Sequence, residues 1–236
     1  MAVCVAVAAL AAGGCSDGGA DDEPAAAAPD RADPDLAEPE EPEPDVADVV
    51  VRREDLPEPP RWTPLSFDES RSGDGFDRCI YSVVDGLAGE VVADARAAFL
   101  AVAESDTAGT YAVATTSERA ARAGVRAAEE AVLPCLARAL LEPELQQPGV
   151  ATEVQDTVDA PVGSYDAEVL ARTIPLRMTA PGRRLDLRFD VFAVHRGRTF
   201  VLLVFFTDGQ LTPREEDDAL AAVAGRLGVE RLRPLG

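Results

Sequence analysis

Three kinds of residue in this 236-residue chain could do chemistry by type and placement: four cysteines, one histidine and an arginine-only basic set. The cysteines are Cys4, Cys15, Cys79 and Cys135, the histidine is His195, and all 22 basic side chains are arginine because the sequence contains no lysine. That absence excludes Walker A loops, lysine Schiff bases, serine–lysine dyads and the kinase ion pair, each of which needs a lysine side chain. No GxSxG elbow and no HExxH helix occurs. His195 has arginines beside it and no serine or cysteine near it in sequence, which predicts an exposed turn residue and not a general base. Asp68 to Gly73 begins like a calcium loop, but its twelfth position is Cys79 where a bidentate Glu is required. The sequence therefore predicts no catalytic residues, no metal site and no cofactor.

The four cysteines divide by context. Ala2 to Ala12 is an uncharged apolar run, too short to span a bilayer but suited to a secretory signal, and Gly13, Gly14 and Cys15 follow it. The segment Leu10-Ala11-Ala12-Gly13-Gly14-Cys15-Ser16-Asp17 resembles a bacterial lipoprotein signal, in which small residues precede a cysteine that is lipidated on sulfur and becomes the mature N-terminus. Ala12 stands where such signals usually carry Leu, and no Lys or Arg precedes the apolar run, so a start upstream of Met1 is considered alongside; an ordinary cleaved secretory signal is the alternative. Acylation at Cys15, with palmitate among the chains, would anchor the protein stably once two chains are attached. Cys4 leaves with residues 1–14 and Cys15 carries lipid, so Cys79 and Cys135 remain; in an oxidising envelope they most simply form a disulfide bond, the alternative being two buried free thiols.

Charge is as uneven as cysteine. The chain carries a formal net charge of −21, which argues against nucleic-acid partners. Residues 16–60 hold 16 acidic and 3 basic side chains, nine of the eighteen prolines and no aromatic residue. Such a stretch buries too little apolar surface to offset its ordering entropy, so residues 15–60 are predicted to be a disordered acidic tether. Calcium binding by Asp21, Asp22 and Glu23, or by Glu38, Glu40 and Glu41, is the alternative, and nothing in the sequence fixes those carboxylates in space. Val46 to Val51 is the tether's one apolar stretch.

The opposite charge gathers late in the chain. Residues 169–206 contain Arg172, Arg177, Arg183, Arg184, Arg188, Arg196 and Arg198 against Asp186 and Asp190. Guanidinium forks suit carboxylate and phosphate, so Arg183, Arg184, Arg196 and Arg198 are candidate anion-binding residues. The two pairs fall at opposite ends of one predicted strand and cannot line one pocket; solvation of strand ends is the alternative reading.

The elements that position these residues lie within residues 61–236, where proline thins and aromatic residues begin. Thr212-Pro213-Arg214-Glu215 is a capping box with proline at the first helical position, and Glu215 to Asp218 sets negative charge on that N-terminus, a start signal and not a metal site. Leu220, Val223, Ala224 and Leu227 continue at helical spacing to a stop at Gly228. A second helix is predicted from Ser117 to about Leu141, kinked at Pro134, and a third from Glu90 to about Ala103 on Val91, Ala95, Phe99 and Val102. Leu185, Leu187, Phe189 and Val191 alternate with polar residues as a strand with one wet face, while Thr199 to Phe206 is apolar on both faces and reads as a central strand. The residues between them, His195-Arg196-Gly197-Arg198, form a hairpin turn. Further strands are predicted at Cys79–Val84, Thr110–Thr115, Val150–Val158 and Glu168–Met178, the last with Pro175 at an edge or bulge. The fold class is α+β, an antiparallel sheet packed with helices.

The leader, the acidic proline-rich tether, the Cys79 and Cys135 pair and the final hairpin with its capped helix together resemble actinobacterial envelope lipoproteins. The folded part is similar in layout to the extracytoplasmic sensor-like domains attached to some mycobacterial serine/threonine kinases, and more loosely to small Mog1/PsbP-like lipoproteins. The resemblance implies a non-enzymatic, lipid-anchored binding or sensor-like domain on the extracytoplasmic face of the cell membrane, with that membrane and an envelope ligand or protein as partners. An envelope hydrolase, or a structural or assembly lipoprotein without a small ligand, are the rival classes.

Overall fold

A computed structural model describes residues 45–65, 75–87, 89–101, 106–139, 141 and 150–236. The expected leader, Cys15, the expected tether as far as residue 44 and the Asp68–Gly73 segment lie outside these residues. The described chain is an α+β structure built on an antiparallel sheet, as its patterning predicts.

The strand apolar on both faces sets the architecture. In β9 (Thr199–Thr207), Phe200 and Leu202 face one hydrophobic core while Val201, Leu203 and Phe205 face another, and all five are buried. Both β9 edges are paired, with β3 (Asp106–Thr115) and β8 (Arg183–Arg196). Outward from these lie β2 (Val91–Ala101) and β1 (Trp62–Pro64) on one side, and β7 (Val169–Ala180) on the other. The far edge of β7 is shared by β4 (Ala151–Val154) and β5 (Val158–Asp159). Pro175 sits where β4 gives way to β5, so its missing N–H falls in a break in pairing while its carbonyl accepts from the Gln155 amide at 2.9 Å. A separate two-stranded ribbon pairs β6 (Ser164–Tyr165) with β10 (Arg231–Arg233).

One core lies under helices α2 (Gly75–Gly86), α3 (Glu118–Ala127) and α4 (Leu133–Ala139). Ser117 caps α3 by accepting from the Ala120 amide at 3.2 Å. A wide π turn over Ala128–Val132 separates α3 from α4, with the Leu133 amide reaching back to the Ala128 carbonyl. Pro134 accounts for it, because a proline ring clashes with the carbonyl four residues back in an ordinary helix. Gly124 is what lets α3 approach β9: a Cβ there would come within 2.5 Å of the Phe200 ring.

The other core lies under α5 (Pro213–Arg226) and an N-terminal strap. Thr212 and Glu215 form the reciprocal capping box, Leu220, Val223, Ala224 and Leu227 are buried, and Gly228, at φ +82°, ends the helix. The strap corrects the expected boundary at residue 60. Asp45 caps a short helix α1 (Val46–Val49), and Val46, Val49, Val51, Leu56 and Trp62 are all buried in this core. The folded unit therefore includes Asp45–Pro60. The Val46–Val51 stretch, apolar within an acidic segment, fills the space on the sheet that α5 leaves uncovered.

Two further expectations are overturned. Residues 91–101 form strand β2 where a helix is expected. Val91, Ala95 and Phe99 recur every four residues, which suits a helical face and is also twice the strand repeat. Cys79–Val84 lies in helix α2 where a strand is expected. Its β-branched and aromatic content favours strand, but Cys79, Val83 and Leu87 at four-residue spacing bury one stripe against α3 and α4, and tertiary packing wins.

Cys79 and Cys135 are joined by a disulfide with Cα atoms 5.4 Å apart. The bond links α2 to α4, not a helix to the sheet as the sequence predicts. Closing a loop with a sequence separation of 56 residues restricts the unfolded chain by about 4 kcal/mol in the chain-entropy model. Reduction is expected to lower stability by about 2–4 kcal/mol, read as a fall in the urea midpoint. Thiol labelling of unfolded, unreduced protein should leave Cys79 and Cys135 unmodified, and labelling at both would overturn the assignment.

Candidate functional site

Strand β8 and its two flanking turns carry most of the candidate arginines, and the fold spreads them along its length. Arg183 and Arg184 sit at the β7–β8 turn, and Arg196 and Arg198 at the β8–β9 turn, the opposite end. Arg184 meets Asp186 at 3.4 Å, and Arg196 meets Asp166 at 3.6 Å. The Arg198 carbonyl accepts from both the amide and the hydroxyl of Thr115 at 2.8 Å. Arg183 is exposed. Arg177 lies between Asp186 at 3.0 Å and Glu153 at 3.9 Å, and its hydrogen bond draws the Asp186 carboxyl below the usual aspartate range. Arg172 binds Glu129 of the π turn at 2.6 Å and also Asp159 of β5. Glu129, Glu153, Asp159 and Asp166 all lie outside residues 169–206. The local positive excess is therefore balanced by acids from other elements, which a count along the sequence does not see.

His195 lies within β8 rather than in the turn, opposite Phe200 and only partly exposed, which corrects the expected exposed position. Its Nδ1 is buried with no hydrogen-bond partner among the described residues. Burial first, and the Arg122 charge second, hold the imidazole below its ordinary pKa, so the neutral ring is favoured.

The most concentrated polar chemistry is elsewhere, where the N-terminal turn of α5 meets β7 and β8. Asp190 and Glu216 are 1% and 2% exposed. Arg188 lies between them: its Nε donates to Asp190 at 2.5 Å, and its outer nitrogen donates to Glu216 and to the Leu211 carbonyl, each at 2.6 Å. Thr173 of β7 donates its hydroxyl to Asp190. Burial, with the neighbouring Asp190 charge, pushes the Glu216 carboxyl up to about 8 despite Arg188. In this dry site the neutral form of Glu216 is therefore favoured.

The next residue points the other way. Asp217, fully buried, accepts from the Gly163 amide at 2.9 Å, the Leu235 amide at 3.1 Å, the Tyr165 hydroxyl at 2.9 Å and Arg231 at 3.0 Å. Burial raises its pKa, but these donors outweigh burial and hold it below the usual range, while burial and the Asp217 hydrogen bond push the Tyr165 hydroxyl upward. At the far end of α5, Arg226 clamps the strap, donating to Asp55 at 2.6 and 3.0 Å and to the Val50 carbonyl at 2.9 Å.

Sequence reasoning alone misses Asp190, Glu216, Asp217 and their arginines, though a signal is present. Glu216 precedes Leu220, Val223 and Leu227 at spacings of four, three and four, which continues the buried stripe into the acidic run. Capping chemistry explains Glu215, not its two successors.

No family model matches the chain, and no curated protein matches it. Among the described residues, no group of three or more His, Cys, Asp or Glu side chains is placed to hold a metal ion, and no helix is long and apolar enough to cross a membrane.

Replacing Arg188 with Met leaves two buried carboxylates without their cation, and should cost about 3 kcal/mol in urea unfolding at neutral pH. Asp217→Asn should cost about 2 kcal/mol at pH 7. Because the folded-state pKa of Asp217 is depressed, its contribution is present above the ordinary aspartate value and lost as pH falls through the folded value. The difference between wild type and the Asn variant should therefore shrink on acidification, and a constant difference from pH 7 to pH 3 would contradict this role.

Proposed function

We propose that the protein is a lipoprotein anchored through Cys15 to the extracytoplasmic face of a bacterial cell membrane, its folded part serving as a non-catalytic, sensor-like binding domain. The observation that carries this reading is the Cys79–Cys135 disulfide. It accounts for both cysteines outside the leader region, and disulfides persist in oxidising compartments. Cys15 is left with small residues before it and Ser, Asp and Gly after it, the setting a lipidated cysteine needs. The acidic, proline-rich composition of residues 16–44 suits a spacer between membrane and domain.

On this reading the domain offers its ligand or partner a surface and not a reaction centre. The buried carboxylates Glu216 and Asp217 are tied to arginines of the same chain. Arg183 and Arg184 at one end of β8, and Arg196 and Arg198 at the other, are the groups offered to an anionic envelope component; each pair acts separately.

Expression with the native leader in a host that processes lipoproteins tests the anchoring. Labelled palmitate should enter the mature chain, the protein should partition into the detergent phase on extraction, and Cys15→Ser should abolish both. A wild-type chain that takes up no label and stays in the aqueous phase would overturn the proposal.

A further inference from the structure

The Arg188, Asp190 and Glu216 group is a buried cluster that holds more acid than base. Its two carboxylates and one guanidinium carry a net −1 when all are ionised, and both acids are almost wholly removed from water. The groups facing Glu216 come from every neighbouring element. Strand β8 contributes Arg188 and Asp190, and Thr173 of β7 hydrogen-bonds Asp190 in turn. Thr207 of β9, in register with Arg188, turns its hydroxyl to the Gly209 and Leu211 amides, while the loop before α5 adds the Leu211 carbonyl beside Arg188. On α5 itself, Glu215 is engaged with Thr212 in the cap and Asp217 faces Arg231.

We propose that Glu216 is a proton-operated latch on the first turn of α5. With the proton in place, the neutral carboxyl accepts from Arg188 and shares its hydrogen with Asp190, so the site is balanced and the turn stays docked. When the carboxyl gives that proton to solvent water, the site holds an unbalanced negative charge, and the turn opens to hydrate the carboxylate. The release is not confined to one residue. Asp217 follows directly and is the acceptor on which the Gly163 and Leu235 amides, the Tyr165 hydroxyl and Arg231 converge, so opening the turn loosens the β6–β10 ribbon as well. The burial that raises the Glu216 pKa fixes the sign. An acid that titrates higher when folded than when exposed favours the closed state most at low pH and progressively less as pH rises through the interval between the two values.

Hydrogen exchange of the full chain between pH 5 and 9, corrected for the intrinsic pH dependence of amide exchange, measures the latch. The opening equilibrium reported by the Gly163, Tyr165 and Leu235 amides and by the first turn of α5 should rise, by up to about tenfold per pH unit, and then level off at the alkaline end. In Glu216→Gln, where a neutral amide mimics the protonated carboxyl, the same amides should show no such slope. An equal slope in wild type and the Gln variant would overturn the proposal. A carboxyl carbon NMR titration of Glu216 in the wild-type protein gives a second, variant-free reading, and a midpoint in the ordinary glutamate range would overturn it too.

Discussion

The side chains of Phe200–Phe206 are apolar on both faces, so this strand can exist only with neighbours on both edges and cover above and below. Its pairing with β3 and β8 joins the two halves of the sheet. Cover on one side comes from the bent α3–α4 unit, with α2 held to it by the Cys79–Cys135 bond. Cover on the other side comes from α5, which is too short to shield the whole face. The strap beginning at Asp45 supplies the remainder, and for that reason a stretch with the composition of a linker is drawn into the core.

The same demand for cover on two sides explains the buried charge. Helix α5 carries four consecutive acidic residues at its start because a helix N-terminus favours negative charge. Its first turn is also wedged between the sheet and the β6–β10 ribbon, so two of the four have no route to water. Each is met by an arginine from a strand, Arg188 for Glu216 and Arg231 for Asp217. Arginine suits such positions because its five donors let one guanidinium serve a carboxylate and a backbone carbonyl together, as Arg188 does with Leu211 and Arg226 does with Val50.

Legibility in the sequence follows how local the deciding physics is. The capped helix at Thr212, the strand around Leu187 and the two-faced strand at Thr199–Phe206 are decided by residues within a turn or two of each other, and each is readable. The segment 91–101 is not, since a four-residue repeat is common to helix and strand and the choice rests on pairing with β3. Nor is α2, whose strand-favouring residues are overruled by a stripe that acquires meaning only beside α3 and α4. For the polar site the difficulty is one of scope. Setting the arginines against acids in the same stretch leaves out their partners, which sit on the π turn, β4, β5 and α5.

The strap alters the mechanics of the proposed anchoring. If the folded unit began at Arg61, a spacer of 45 residues would follow Cys15. With Asp45 already capping α1, 29 residues remain. A pull along that spacer would arrive first at α1, and the charged contact that ties the strap to α5 is the Arg226 clamp on Asp55 and Val50. Arg226 lies in the last turn of α5, and Glu216 in the first. One helix thus connects the point where the chain enters the fold to the buried proton site, so a pull on the strap and opening of the first turn act on the two ends of α5.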